Sequence, residues 1–268
     1  MHLLIIAILP AAVLMFLIYK CDKVEREPVS LILKVMGLGM AIIFPVVICE
    51  LMGEVVISLF CKPYSILYIF LDNFLIVGLL EEFWKRLIVK KYIWNRHEFN
   101  YRFDAIVYCV ASSLGFALLE NILYVFQNGF GTGIVRAILS VPGHCTFAIF
   151  MGYFLGNAKL YEMQGNEKKA KRYAGLSLWV PVVLHGFYDF CLTMQSVILM
   201  LLFLVFVIVC DIFSIIRVVR SEKQDIPFYV HQEGGSWIQN PVWLEMAATS
   251  IDKGIKVLQV EADNVEQR

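Results

Sequence analysis

Seven stretches of this sequence are each close to 20 residues long and almost wholly apolar, at about residues 2–19, 31–50, 65–87, 103–126, 134–158, 176–195 and 197–218. A helix that crosses the hydrocarbon core of a bilayer needs about 20 such residues. Because lipid offers the backbone no hydrogen-bond partner, spans of this length must be helical. The sequence therefore predicts an all-α, polytopic membrane bundle of about seven transmembrane helices.

Composition supports a lipid bilayer as the environment of this chain. Of its 268 residues, 59% are hydrophobic and 17% are charged, whereas ordinary soluble domains are about half apolar and a quarter charged. The 23 basic residues balance the 23 acidic ones. The net charge therefore gives no reason to expect a nucleic-acid partner.

The connections between the predicted spans alternate in charge. Basic residues follow spans one, three, five and seven: Lys20, Lys23 and Arg26; Lys90, Lys91, Arg96 and Arg102; Lys159, Lys168, Lys169, Lys171 and Arg172; Arg217, Arg220 and Lys223. The other connections carry Lys62 as their only basic residue. Since basic connections stay in the cytoplasm, we expect a multi-pass membrane protein with its N-terminus outside and its C-terminus inside.

The chain changes character after the last apolar span. We expect residues 1–220 to form the transmembrane domain and residues 221–268 to form a polar cytoplasmic tail. Within the tail, apolar residues recur at helical spacing at Leu244, Ala247, Ile251, Ile255 and Leu258. This pattern predicts an amphipathic helix between Pro241 and Val260.

Several ionisable or amide side chains fall inside the apolar spans. They are Glu81, Glu82 and Lys85 in span three, Glu120 and Asn121 in span four, His144 in span five, and His185 and Asp189 in span six. Charged groups are costly in a bilayer core, so they normally face the bundle interior, find partners and mark function.

Helical spacing groups these side chains. Lys85 follows Glu81 by four residues and Glu82 by three, so the three side chains can share one helix face. Asp189 follows His185 by four residues, where a carboxylate can fix the orientation of the imidazole. Gly152 and Gly156 form a Gly-x-x-x-Gly pattern, which predicts a close helix contact.

Structural interpretations of the same residues stay open at this point. Glu82 and Lys85 are also compatible with an ion pair that snorkels to the membrane edge. His144 alone is more typical of a hydrogen-bonded interior histidine than of a catalyst or a ligand. Asn121 can donate to an oxyanion or bond two helices together.

Together, a carboxylate pair, two histidines and an amide can activate water and stabilise an oxyanion, as peptide-bond hydrolysis requires. Glu82, His144 and His185 can supply three zinc ligands and leave a fourth position for water. The same residues can also act without a metal, so the cofactor stays unknown, with zinc as the candidate ion.

The order of these motifs resembles the PrsW family of bacterial intramembrane proteases. The matching motifs, within about residues 1–220, are Glu-Glu-x-x-Lys (Glu81, Glu82, Lys85), Phe-x-x-x-Glu-Asn (Phe116, Glu120, Asn121), His144, and His-Gly-x-x-Asp (His185, Asp189). The related type II CAAX prenyl endopeptidases have an arginine one residue after Lys85 and a histidine where this chain has Glu120. These departures argue against prenylated substrates.

The resemblance implies a function and residue roles. It implies site-1 cleavage of a membrane-bound anti-sigma factor, a single-span membrane protein, in a cascade that releases a sigma factor under envelope stress such as antimicrobial peptides. Glu81 and Glu82 would activate water and His185 would be the second catalytic group. Lys85, Glu120, Asn121, His144 and Asp189 would support them.

Two other classes of function remain as alternatives. A transporter or proton pathway would use carboxylates as a relay, and the sequence offers Glu50, Glu54, Asp72 and Glu120 for it. A non-catalytic immunity or scaffold protein would use the same carboxylates only to pack the bundle.

Overall fold

A computed structural model describes residues 2–225, 227–231 and 237–239. A π-helical segment, Asp72–Gly78, joins α4 to α5, and two short strands, β1 (Tyr229–His231) and β2 (Trp237–Gln239), pair antiparallel. The α-helices of the described residues are α1 (His2–Cys21), α2 (Val29–Ala41), α3 (Ile43–Phe60), α4 (Ile66–Leu71), α5 (Leu79–Tyr92), α6 (Asp104–Asn128), α7 (Phe130–Ile138), α8 (Ser140–Met163), α9 (Glu167–Thr193) and α10 (Val197–Lys223).

Six helical runs are long and apolar enough to cross a membrane, which confirms the predicted all-α polytopic bundle. They are His2–Cys21, Val29–Phe60, Asp104–Asn128, Phe130–Met163, Glu167–Thr193 and Val197–Lys223. The second and fourth runs extend beyond the predicted bounds because α3 and α7 continue the helices around them. The predicted span at 65–87 is helical from α4 to α5, but it contains Asp72, Glu81 and Glu82 and is not among the six.

Helix α6 forms the centre of the bundle. Its residues from Asp104 to Ala117 are all buried. A Cβ on Gly152 would lie 2.5 Å from the Cα of Ile106, and one on Gly156 would lie 2.5 Å from the carbonyl oxygen of Arg102. The Gly-x-x-x-Gly prediction is confirmed, since only glycine allows α8 to approach α6 this closely.

The π-helical segment packs tightly against α9. A Cβ on Gly186 would lie 2.6 Å from Cδ1 of Phe74, and one on Gly78 would lie 3.2 Å from the carbonyl oxygen of Val182. The two glycines thus let the chain just before Glu81 approach α9 next to His185. π-Helical turns are often found at functional sites, because the extra residue re-aims the side chains that follow.

The chain after α10 folds back onto the α5–α6 connection. Pro227 forms a β-bridge with Tyr101, and the buried Phe228 packs its ring 5.7 Å from that of Phe99. The predicted amphipathic helix at residues 241–260 lies outside the described residues. The domain boundary at residue 220 stays a prediction, and α10 itself continues to Lys223.

Candidate active site

Four buried side chains from three helices converge in the interior of the bundle. Glu81 and Glu82 come from α5, His144 from α8 and His185 from α9. One potential ligand atom from each lies within 4.8 Å of all the others. This group, called the Glu–His cluster below, brings together three separate motifs of the sequence.

Lys85 lies within the Glu–His cluster. Its Nζ is 2.8 Å from Glu81 Oε2, 2.8 Å from Glu82 Oε1 and 3.1 Å from His144 Nδ1. The side chain is fully buried, so the interpretation of Lys85 as a snorkelling residue is wrong. One ammonium beside two carboxylates compensates part of their charge in this buried cluster.

The imidazole of His185 is held at both ring nitrogens. Nδ1 lies 3.0 Å from Glu82 Oε1, and Nε2 lies 3.2 Å from Asp189 Oδ2. A neutral imidazole donates only one hydrogen bond. Because both nitrogens face carboxylate oxygens, either a second proton or a cation must lie between the ring and one of these carboxylates.

His144 is oriented in the same way from the opposite side of the cluster. Its Nε2 lies 3.1 Å from Glu120 Oε2, while Nδ1 faces Lys85. If Nε2–H donates to Glu120, the lone pair of Nδ1 points into the cluster. A carboxylate behind each histidine is the usual way in which proteins orient imidazole ligands.

Arg136 on α7 belongs to the site, and the analysis of the sequence missed it. Its Nη2 forms an ion pair of 2.7 Å with Glu120 Oε2, and its Nε donates to Asn121 Oδ1 at 3.0 Å. The signal was an arginine within the predicted span at 134–158, where an unpaired cation would be costly. Arg136 therefore anchors the carboxylate that orients His144.

Asn121 does not face the Glu–His cluster. Its Nδ2 donates to the carbonyl oxygen of Ala7 on α1 at 2.9 Å, and its Oδ1 accepts from Arg136. This geometry favours the interpretation of Asn121 as a residue that bonds helices together over that of an oxyanion donor.

The cluster suits a divalent cation. Its donors are carboxylate oxygens and imidazole nitrogens, the set that zinc prefers besides thiolate. Glu82 Oε2 is buried and has no hydrogen-bond partner among the described residues, so it has an unused lone pair. The spread of 4.8 Å is somewhat wider than the roughly 3.4 Å between ligand atoms around a tetrahedral zinc. Lys85 Nζ lies 2.8 Å from Glu82 Oε1 and 3.1 Å from His144 Nδ1, so this ammonium would move aside for an ion that binds both residues.

The carboxylates of the proposed relay are not joined to one another. Within the described part of the chain, Glu50, Glu54 and Asp72 make no side-chain hydrogen bond to a carboxylate or a histidine, and Glu50 Oε1 and Asp72 Oδ1 are buried without a partner. Only Glu120 of that set contacts the cluster.

Comparison with known proteins agrees with the motif order. Residues 27–213 match the profile of a family described as PrsW family intramembrane metalloprotease. The chain is 36% identical over 201 residues to Protease PrsW of Bacillus subtilis (strain 168), which covers 74% of this chain and 87% of that protein. No solved structure matches the chain.

Other bacterial relatives align over similar lengths. Protease PrsW of Geobacillus kaustophilus is 36% identical over 185 residues, which is 68% of this chain and 76% of the relative. Protease PrsW of Oceanobacillus iheyensis is 34% identical over 219 residues, which is 82% of this chain and 95% of the relative. The match extends across the helices that carry the Glu–His cluster. On this ground the chain belongs to the PrsW family and is an intramembrane protease.

Proposed function

We propose that this protease performs site-1 cleavage of a membrane-bound anti-sigma factor, a protein with a single transmembrane span, and so starts a stress-response cascade. The observation that carries the proposal is the buried Glu–His cluster, whose four side chains lie within 4.8 Å of one another in an apolar bundle. A membrane-embedded hydrolytic site acts on chains that themselves enter the membrane. The anti-sigma class of substrate follows from the family resemblance.

We further propose that Glu82, His144 and His185 hold a divalent cation, with zinc as the candidate. Bound there, the ion supplies Lewis acidity toward the peptide carbonyl and the attacking water. Two histidines and one glutamate are a common ligand set of zinc peptidases. Glu82 is fully buried, as a ligand that does not exchange with solvent would be.

Glu81 is then the general base of the reaction. It takes a proton from the attacking water, whose oxygen bonds to the peptide carbon, and returns that proton to the leaving amine as the C–N bond breaks. Its carboxylate lies on the more exposed side of the cluster, at 6% exposure against 0% for Glu82. Lys85 donates a hydrogen bond of 2.8 Å to Glu81 and so stabilises its ionised carboxylate.

The proposed orientation, with the N-terminus outside and the C-terminus inside, is supported by the depth of His185. His185 is eight residues from the end of α9, about 12 Å along the helix axis, and 18 residues from its start. In this orientation the end of α9 faces the outside. The active site would then open closer to the outer surface, where site-1 cleavage is expected.

The proposal is tested with the full-length protein in liposomes and two substrates of equal span length. One is a single-span anti-sigma factor, and the other is an unrelated single-span protein. We expect cleavage of the first alone, its loss after dialysis against a chelator, and its recovery on addition of Zn²⁺. Equal cleavage of both substrates would contradict the substrate class. Full activity after verified removal of metal would contradict the metal assignment.

A further inference from the structure

Asp211 lies near the middle of α10 and is not part of the Glu–His cluster. It is 14 residues from the start and 12 residues from the end of this 27-residue helix, which is about 18–21 Å from either end. Its Oδ1 accepts a hydrogen bond of 2.7 Å from Thr146 Oγ1. Among the described residues, Asp211 has no basic partner within ion-pair distance. A carboxylate at this depth without a cation is costly and normally marks function.

Asp211 lines a groove that opens to the lipid. The groove has a volume of about 350 Å³ and lies between α1, α8 and α10. Its walls are apolar, with Leu17, Ile149 and Ile215 among them, and its polar groups come from Asp211, Thr146 and Ser214. Leu17 and Ile215 are more than half exposed in the described chain, so the groove is accessible from the membrane.

The groove and the active site lie on opposite faces of α8. Thr146 contributes to the groove, whereas His144, two residues earlier, faces the Glu–His cluster. Two residues correspond to a rotation of about 200° around a helix. An occupant of the groove is therefore separated from Glu81 and Glu82 by α8 and is distinct from the segment that is cut.

We propose that this groove binds a transmembrane helix of a partner membrane protein that carries a lysine or arginine near the middle of its span. The apolar walls match the surface of such a helix. Its basic side chain supplies the positive charge that would pair with the Asp211 carboxylate. A lipid chain would fill the walls but leave the carboxylate uncompensated. A second copy of the chain fits less well. Its exposed Lys34 is only five residues from the start of α2, so this lysine lies near a helix end and not at the mid-span depth of Asp211.

The test uses synthetic single-span peptides with a leucine–alanine host sequence. One peptide has a central lysine and its match has a central methionine. The full-length protein is reconstituted in phosphatidylcholine vesicles with a photo-crosslinking residue at Ile215, on the groove wall. We expect at least tenfold more crosslinking of the lysine peptide, and loss of this preference in Asp211→Asn, whose amide oxygen still accepts from Thr146. A charge reversal, Asp211→Lys, should prefer a peptide with a central glutamate.

A control variant keeps a carboxylate at similar depth on the other side of α10. In the double variant Asp211→Asn with Val209→Asp, the acidic group is moved by about 160° around the helix, and the preference should be absent. Equal crosslinking of both peptides by the unaltered protein would overturn the proposal, as would a preference that persists in Asp211→Asn. Crosslinking of the protein to a second copy with no peptide bound would also overturn it. Cleavage of the anti-sigma substrate by Asp211→Asn should stay unchanged, which separates this test from that of the proposed function.

Discussion

His185 Nδ1 lies 3.0 Å from Glu82 Oε1, although 103 residues separate the two in sequence, and Asp189 contacts the other nitrogen of the same ring at 3.2 Å. The imidazole is thus fixed at both ends before any substrate arrives. In an enzyme such a fixed ring needs no reorientation during the reaction, which lowers the barrier.

Asp189→Asn should lower kcat for cleavage by about 10–100-fold and leave KM nearly unchanged, because it removes the charge that orients His185. The affinity for Zn²⁺, measured by competition with a chelating dye, should fall as well. Asp211→Asn is the matched control, since it also removes an aspartate charge within the membrane, and it should retain activity. An Asp189→Asn variant with the kcat of the unaltered protein would show that Asp189 does not position the ring.

Arg136→Met should also lower kcat by roughly 10–100-fold, because Glu120 would lose the cation that anchors it beside His144. Arg136→Lys should recover part of this loss. Adding Arg136→Met to Glu120→Gln should cost little more than Glu120→Gln alone, since both act through one contact. Arg96→Met, which breaks an exposed ion pair with Glu98, is the control and should have no effect. Additive losses of kcat in the double variant would contradict the claim that Arg136 acts on His144 through Glu120.

Helical spacing was sufficient to predict the local pairs of the site. The pairs Lys85 with Glu81 and Asp189 with His185 are each four residues apart, and both are in contact. Spacing cannot show how different helices meet, so the grouping of Glu82 with His144 and His185 was a hypothesis based on the chemistry of their side chains. Arg136 was missed because its partner Glu120 lies on another helix and no local pattern joins them.

Gly186→Ala should destabilise the protein by about 1–3 kcal/mol, because the added methyl group would collide with Phe74 of the π-helical segment. Activity should fall further than stability alone explains, since the shift would move His185 away from Glu82. Gly175→Ala on the same helix is the matched control. A Cβ at Gly175 meets nothing within 4 Å, so that variant should be neutral or slightly more stable. Thermal unfolding in detergent measures both, and equal effects would contradict the packing argument.

The apolar runs predicted where the helices lie in the sequence more accurately than the residues at which they begin and end. Hydropathy cannot locate the end of α3, because the apolar sequence continues past residue 50 to Phe60. The π-helical segment was also unpredictable from composition, since its apolar residues suit an ordinary helix. It lies where Gly78 and Gly186 allow the segment to pack closely against α9, a contact between parts of the chain distant in sequence.

Stability should fall as the pH rises from 6 to 9, in part through Glu27 in the α1–α2 connection. Burial raises the pKa of Glu27 to about 8, and the nearby charges of Asp22 and Glu25 act in the same direction against hydrogen bonds from Tyr108 and Asp104. The folded protein therefore keeps a proton that the unfolded chain releases near its ordinary pKa of 4.5. This contribution is fully present below pH 4.5 and is lost as the pH rises through about 8.

Glu27→Gln should reduce this dependence of the melting temperature on pH. The exposed Glu167→Gln should leave it as in the unaltered protein, because the Glu167 side chain is 82% exposed. Melting curves in detergent at pH 6 and pH 9 measure the difference. An equal fall in all three proteins would exclude Glu27 as the titrating group.

The most direct test of the Glu–His cluster as the proteolytic centre compares Glu82→Gln with Glu54→Gln in liposomes that contain a single-span anti-sigma substrate. Both variants remove one carboxylate from a helix within the membrane, and equal melting temperatures would verify that both are folded. We expect Glu82→Gln to lower kcat/KM by about 10³-fold or more, as loss of a catalytic group does, and Glu54→Gln to cleave at the rate of the unaltered protein. Undiminished cleavage by Glu82→Gln, with loss of cleavage in Glu54→Gln, would contradict the assignment and favour the relay carboxylates instead.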